Sequence, residues 1–278
     1  MNSLSLFSGA GGGLLAEKYI LNWRSIGYVE NNVYCQKVLA QRIEEGFLEL
    51  APLWGDIDEF IESGAVDQYK GLTDVVTGGF PCQPFSVAGR RKGKDDSRNC
   101  WPQTIEVIRR VRPRWFFGEN VPGLLNSGYF PEILGSLAEA GYDAKWTVLG
   151  ADHCGAPHKR RRLWILAYPN TGHGSRAQKE VRPRRNAPDD GSSDVADSDS
   201  ERGRGGNIGR KDAENVGKPP RRPEHGCWDV EPDMGRVAHG VASRVDRLKA
   251  IGNGQVPLVA ATAWKLLSGQ ELETTWGM

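Results

Sequence analysis

The chain has no C-x-x-C pair. Its five cysteines, Cys35, Cys82, Cys100, Cys154 and Cys227, stand far apart. An odd and dispersed set argues against a disulfide framework and a zinc ribbon, and suits a reducing interior. His153, Cys154 and His158 are close in sequence, but their spacing matches no common metal pattern. No apolar run approaches the ~20 residues of a membrane span. Met1 leads almost directly into a strand, leaving no room for a signal peptide, so a cytoplasmic protein is expected. Excess charge is also missing: 36 Lys and Arg face 35 Asp and Glu, for a net charge of +1. No global field therefore announces nucleic acid, although basic residues cluster locally and such patches matter more than the sum. Between Asn170 and Cys227 the large aliphatic and aromatic residues almost vanish, leaving Val181, Val195, Ile208 and Val216. Such a stretch buries too little apolar surface to offset its ordering entropy. It reads as a disordered insert or as a loop-rich surface that orders on a polyanionic partner.

What is present describes an α/β protein. The 278 residues suffice for one large domain, or one large and one small. Strand-like and helix-like segments alternate over residues 1–168, which predicts a doubly wound, largely parallel sheet. "LSLFSG", "RSIGYVE", "DVVTGG", "RWFFGEN", "DAKWTVLGAD" and "RRLWILAY" read as strands. "GLLAEKYILNW", "YCQKVLAQRIEE", "WPQTIEVIRRVR" and "YFPEILGSLAEAG" read as helices, and "VPLVAATAWKLLSG" as a closing helix. Order is expected to resume near Trp228.

Four stretches carry chemistry. In "GGFPCQPFS", Cys82 sits between Pro81 and Pro84, just past a buried strand. The prolines fix φ and stiffen the loop, and the carboxyl ends of strands are where open α/β sheets bind ligands. A buried, inert structural cysteine is the competing reading. In "LFSGAGGGLLAE" a strand passes through a glycine turn into a helix, and Glu30 ends the next strand, where an acid can bond both ribose hydroxyls. This pair alone is compatible with NAD, FAD or S-adenosylmethionine. "FFGENVPGLL" places Glu119 and Asn120 at another strand end, where a sheltered carboxyl can hold a proton. "GAPHKRRRLWIL" opens a strand with four basic residues, and alternation places Arg160 and Arg162 on one side.

Together these stretches resemble the C5-cytosine-specific DNA methyltransferase family. The glycine turn "LFSGAGG", "PCQPFS", "ENV", "GAPHKRRR" in place of the usual Q-R-x-R-type element, and "RLKAIGN" occur in family order. The resemblance covers roughly residues 3–168 and 236–268. It implies a Rossmann-like S-adenosylmethionine-dependent catalytic domain over 1–168 and a small irregular target-recognition region over 169–235. A C-terminal segment, 236–278, would return to the catalytic domain. By the same resemblance Cys82 attacks C6 of a flipped-out cytosine, Glu119 bonds N3 and the exocyclic amine, Arg162 binds O2, and Arg160 orders the nucleophile's surroundings. Phe7, Gly9, Gly11, Glu30, Asp56, Pro81 and Asn253 would line the cofactor pocket, with Asp56 on the adenine amine. Gln83, Arg90, Arg91, Lys92 and Lys94 would meet DNA from a loop braced by Asp96 and Arg98. His158 and Lys159 replace the commoner Gln and Arg, and Asn31 stands where an aromatic often stacks on adenine. The implied partner is double-stranded DNA; a cognate restriction endonuclease encoded nearby is compatible, no membrane is involved, and a monomer is expected.

The other readings leave residues idle. A nicotinamide-dependent oxidoreductase uses the glycine turn and Glu30 but not Cys82, Glu119 or the basic strand. A cysteine hydrolase would pair Cys82 with His153 or His158 and ignore "ENV". A silent DNA clamp would need neither Cys82 nor the cofactor turn. An RNA-directed family member is conceivable, but nothing resembles a dedicated tRNA-binding insert.

Overall fold

The computed structural model describes residues 1–81, 99–170 and 244–269. Cys82, Gln83, Arg90, Arg91, Lys92, Lys94, Asp96 and Arg98 lie outside the described residues, as do 171–243, including Trp228, and 270–278. The chain divides into two units, Met1–Pro183 with Arg236–Met278, and Arg184–Gly235. All described residues belong to the first.

Seven strands form one sheet: β1 (Asn2–Leu6), β2 (Arg24–Val29), β3 (Leu53–Trp54), β4 (Val75–Gly78), β5 (Trp115–Asn120), β6 (Tyr142–Leu149) and β7 (Arg162–Pro169), in the order β3-β2-β1-β4-β5-β7-β6. The first five are parallel, and β7 runs antiparallel between β5 and β6. The expected parallel sheet therefore holds up to β5. Beyond it, β6 and β7 are joined by a short connection with no long crossover helix, so they pair antiparallel. The order reverses between β1 and β4, and at such a switch point the strand ends diverge and leave a crevice.

The helices are α1 (Gly12–Leu15), which continues into a π-helical turn (Ala16–Ile20), α2 (Val33–Glu44), α3 (Ile57–Glu62), α4 (Trp101–Val111), α5 (Phe130–Glu139), α6 (Arg244–Asn253) and α7 (Pro257–Ser268). No helix among the described residues is long and apolar enough to cross a membrane. Strand alternation sends Leu4, Leu6, Val76 and Phe116 to one face, where α3, α4 and α5 pack through Phe60, Ile105, Ile108, Ile133 and Leu137. Val75, Phe117, Trp164 and Leu166 face the other way, onto α7 and Trp23. Trp264 of α7 anchors that layer, with its ring centroid 4.5 Å from Trp23, 5.5 Å from Phe117 and 5.7 Å from Trp115. The closing helix thus belongs to the core of the first unit.

Close approach fixes the junction of α7 with α1. A Cβ on Gly12 would lie 2.5 Å from the Gln255 carbonyl oxygen, and one on Gly13 2.6 Å from Gln255 Oε1. Two glycines at the start of α1 let Gln255, two residues ahead of α7, lie directly on the helix.

Candidate active site

The glycine turn and Glu30 meet at the ends of β1 and β2. Gly9 takes φ +56°, and a Cβ there would meet nothing within 4 Å, so its backbone borders open space. The Gly9 amide donates to Glu30 Oε2 at 2.6 Å, and the Asn32 amide donates to Oε1 at 2.8 Å. Gln36 Nε2 donates to the Glu30 carbonyl at 2.7 Å, tying the strand end to α2. Each carboxylate oxygen of Glu30 is held by one backbone donor and retains acceptor capacity for a ligand hydroxyl. Phe7, with φ +53°, is a strained non-glycine residue at the edge of the same space, where such conformations cluster at functional sites.

A cavity of about 580 Å³ opens here. Phe7, Gly9, Glu30, Pro81, Glu119 and Asn253 line it, together with Arg162, so cofactor-side and base-side residues named from the sequence share one cleft. Gly11 does not line it; it caps α1 at φ +91° and shapes the turn. Asp56 does not line it either. Its Oδ1 accepts the Asp58 and Glu59 amides at 2.8 and 3.2 Å, the ordinary task of a helix N-cap, at the start of α3.

The base side is built by β4, β5 and β7. Arg162 Nε lies 2.8 Å from Glu119 Oε1, joining the first residue of β7 to the end of β5. Burial pushes the Glu119 carboxyl up, while Arg162 and then Arg160 pull it back down. The result is a carboxyl above its ordinary range, suited to hold or share a proton. Asn120 Nδ2 donates to the Phe80 carbonyl at 3.0 Å, and its Oδ1 accepts the Val121 amide at 2.8 Å. The asparagine of "ENV" therefore pins the segment that leads into Cys82.

Arg160 departs from the sequence reading. The strand begins at Arg162, so alternation does not extend back to Arg160, whose φ of +34° breaks the extended run. Its guanidinium instead donates to the Gly252 carbonyl at 2.7 Å and to the Gly254 carbonyl. It clamps the α6–α7 junction while its charge still acts on Glu119.

Sequence reasoning missed Asp246 and Lys249 of α6, and the thiols Cys35 and Cys100, all of which line the cleft. The three-residue spacing of Asp246 and Lys249 was the available signal, since on a helix it places both on one face. Burial pushes Cys35 and Cys154 up and Cys100 up to about 11. None of these described thiols is a ready thiolate near neutrality.

The cleft fits a nucleoside-bearing methyl donor. It has a ligand-sized volume, an open glycine backbone and a carboxylate fixed at the end of β2. The profile of the C-5 cytosine-specific DNA methylase family matches residues 1–215. Type II methyltransferase M.NgoMIV of Neisseria gonorrhoeae is 33% identical over 172 residues, 60% of this chain and 52% of that protein. Type II methyltransferase M.AplI of Arthrospira platensis is 42% identical over 97 residues, 34% of this chain and 28% of its own length. The chain thus spans about half or less of the length of these relatives. A crystal structure of a Spodoptera frugiperda DNMT2 mutant superposes with a TM-score of 0.52 at 22% identity, covering 66% of this chain and 55% of the other. That likeness establishes the α/β fold of the methyltransferase type. With more than half its length matched by the family profile, this chain belongs to the C-5 cytosine-specific DNA methylase family.

Proposed function

We propose that the protein is a site-specific DNA (cytosine-5-)-methyltransferase that uses S-adenosylmethionine and acts through a covalent Cys82 adduct. The observation that carries the reading is the Glu119–Arg162 pair in a cleft shared with the glycine turn and Glu30. S-adenosylmethionine supplies the methyl group. Glu30, Phe7, Gly9 and Asn253 are the residues that would hold it.

Cytosine C6 is shielded within a duplex, so the base must leave the stack to reach the cleft. Cys82, as a thiolate, forms a bond to C6, and the displaced electron pair moves into the ring. Glu119 holds a proton at N3 and accepts from the exocyclic amine, so charge does not accumulate on the ring. Arg162 keeps Glu119 oriented and offers remaining N–H donors to O2. C5 then carries the nucleophilic pair that takes the methyl group. Loss of the C5 proton and departure of the Cys82 sulfur restore the aromatic ring. Residues 169–235 are assigned the recognition of the target sequence, and Gln83, Arg90, Arg91, Lys92 and Lys94 the contacts beside the flipped base.

Incubation with S-adenosylmethionine and DNA, followed by bisulfite sequencing, should reveal 5-methylcytosine. Cys82→Ser should abolish transfer while leaving cofactor binding intact, because a serine hydroxyl is scarcely ionised near neutrality. On DNA carrying 5-fluorocytosine the wild type should form a denaturation-resistant adduct, since fluorine cannot leave as a proton does. Methyl transfer without that adduct would refute the covalent route. Tight NAD binding with no response to S-adenosylmethionine would refute the reading as a whole.

A further inference from the structure

One face of the sheet carries more polar groups than its apolar cover needs. The registers Ser3↔Val75, Ser5↔Thr77 and Thr77↔Phe117 place Ser3, Ser5, Thr77 and Phe117 on the same side, with Glu119 two residues beyond Phe117. Val259, Ala260, Ala263 and Trp264 of α7 cover this side. Into the layer the π-helical turn after α1 delivers Glu17, 5% exposed. Glu17 Oε1 accepts from Thr77 Oγ1 at 2.8 Å. The Ser3 hydroxyl of β1 faces the same carboxyl, so two neutral hydroxyls meet this buried acid.

A small cavity of about 60 Å³ adjoins the carboxyl, lined by Glu17, Thr77, Gly79, Glu119 and Gln255 among others. It shares Gly79, Glu119, Phe7, Gly9 and Asn253 with the large cleft. At about 10–15 Å³ per water, it has room for more than one. Its polar walls give such waters partners. The missing side chain of Gly79 keeps space beside Glu119, since a Cβ there would lie 2.9 Å from Glu119 Oε2.

We propose that Glu17 shares a proton with Glu119 through water in this cavity, and so keeps Glu119 supplied with the proton that the attack on cytosine requires. The proposal rests on the methyltransferase reading, in which Glu119 must hold a proton at N3. Glu17, as a carboxylic acid, gives its proton to the adjoining water while the water at the far end gives one to Glu119. Glu17 becomes the carboxylate, Glu119 the acid, and the reverse transfer restores both; only O–H bonds change. The groups around Glu17 suit this exchange: Ser3 of β1 and Thr77 of β4 are neutral, Tyr28 of β2 is a phenol, and Glu119 of β5 lines the same cavity. Lys265, the cation of α7, does not line the cavity. Burial, with no cation beside it, pushes the Glu17 carboxyl up to about 7, where it exchanges readily near neutral pH.

The test is an infrared titration of the full chain in heavy water. The wild type should show a carboxyl band with a midpoint near 7 that is missing from Glu17→Gln. Should that variant not fold, Thr77→Val, which keeps the carboxyl but removes its donor, should raise the midpoint. Glu119→Gln, which removes the carboxyl at the far end, should move the midpoint as well. In single-turnover methyl transfer, Glu17→Gln should lose the limb of the pH profile near 7 and run at least about tenfold slower. A wild type without the band, or a midpoint that Glu119→Gln leaves in place, would overturn the proposal. A coupled midpoint in a protein that transfers no methyl group would uphold the proton sharing and remove the methyltransferase reading instead.

Discussion

Glu17 is buried and the Glu119 side chain is 12% exposed on the α7 side of the sheet, yet only Glu119 has a guanidinium beside it. For Glu119, burial and Arg162 oppose each other, so the pair is held by geometry as much as by charge. For Glu17 burial dominates, and the consequence for stability has a definite sign. With its carboxyl raised from 4.5 to about 7, the native state keeps a proton that the unfolded chain has already lost. This contribution to stability is full below pH 4.5 and is lost as pH rises toward about 7, by roughly 3 kcal/mol at about 1.4 kcal/mol per unit. Glu17→Gln cannot ionise and escapes that loss. Calorimetry should therefore find the variant's Tm rising relative to wild type as pH climbs through this window; a difference independent of pH would contradict a buried, titrating Glu17. The strand-end position of Glu119 was legible in the sequence because "ENV" closes an apolar run. Glu17 was not, since an acid within "AEKY" looks like a solvated helix residue. Its burial depends on α7, which joins the layer from far along the chain.

Among the elements, the α6–α7 junction decides how the cofactor side is closed. Gln255 rests on the two glycines of α1, and Arg160 holds the carbonyls of Gly252 and Gly254. Asn253, between those two glycines, is thereby fixed at the cleft wall. Arg160→Ala removes both charge-assisted bonds, each worth about 1.5–3 kcal/mol in place. Freed to fray, the junction should weaken S-adenosylmethionine binding by about tenfold or more in a calorimetric titration. Arg160→Lys should recover part of the loss, because an ammonium carries the charge but not the planar fork. An unchanged Kd in Arg160→Ala would mean that the junction is held without the clamp. The longer elements were readable from sequence: β2, β4, β5 and β7 are apolar runs stopped by Gly, Glu or Asn, and α4 and α5 have one clear apolar face. What escaped was short or polar. β3 has two residues and α3 six, too few for a period to show, and α6 carries four charged residues among its ten. The start of β7 was misplaced for a related reason, since a basic run does not reveal where extended backbone begins.

At the scale of the whole molecule, two segments distant in sequence form one compact unit. The sheet is completed by β7, but its α7 side is covered only when residues beyond 243 return. Without α7, the indoles of Trp23 and Trp115 and the ring of Phe117 would lose the Trp264 packing that buries them. Buried aromatic side chains of this size are worth about 3–5 kcal/mol each when truncated, a large share of a domain's stability. A chain ending at Asn170 should therefore fail to fold, although it contains every strand of the sheet. The segment between the two halves has the opposite character. Residues 170–227 offer only Val181, Val195, Ile208 and Val216 as large apolar side chains, with many arginines, so they suit phosphate contacts better than a core. Replacing 170–227 with a short Gly/Ser linker keeps α7 tethered to β7. The replaced protein should bind S-adenosylmethionine nearly as the wild type does, while site-specific methylation disappears. Bisulfite sequencing of DNA treated with both proteins reads the second effect, and calorimetric titration the first. Methylation at the same sites by the linker variant would move target recognition to residues 87–100, beside Cys82. Loss of cofactor binding would instead mean that the replaced segment supports the catalytic unit.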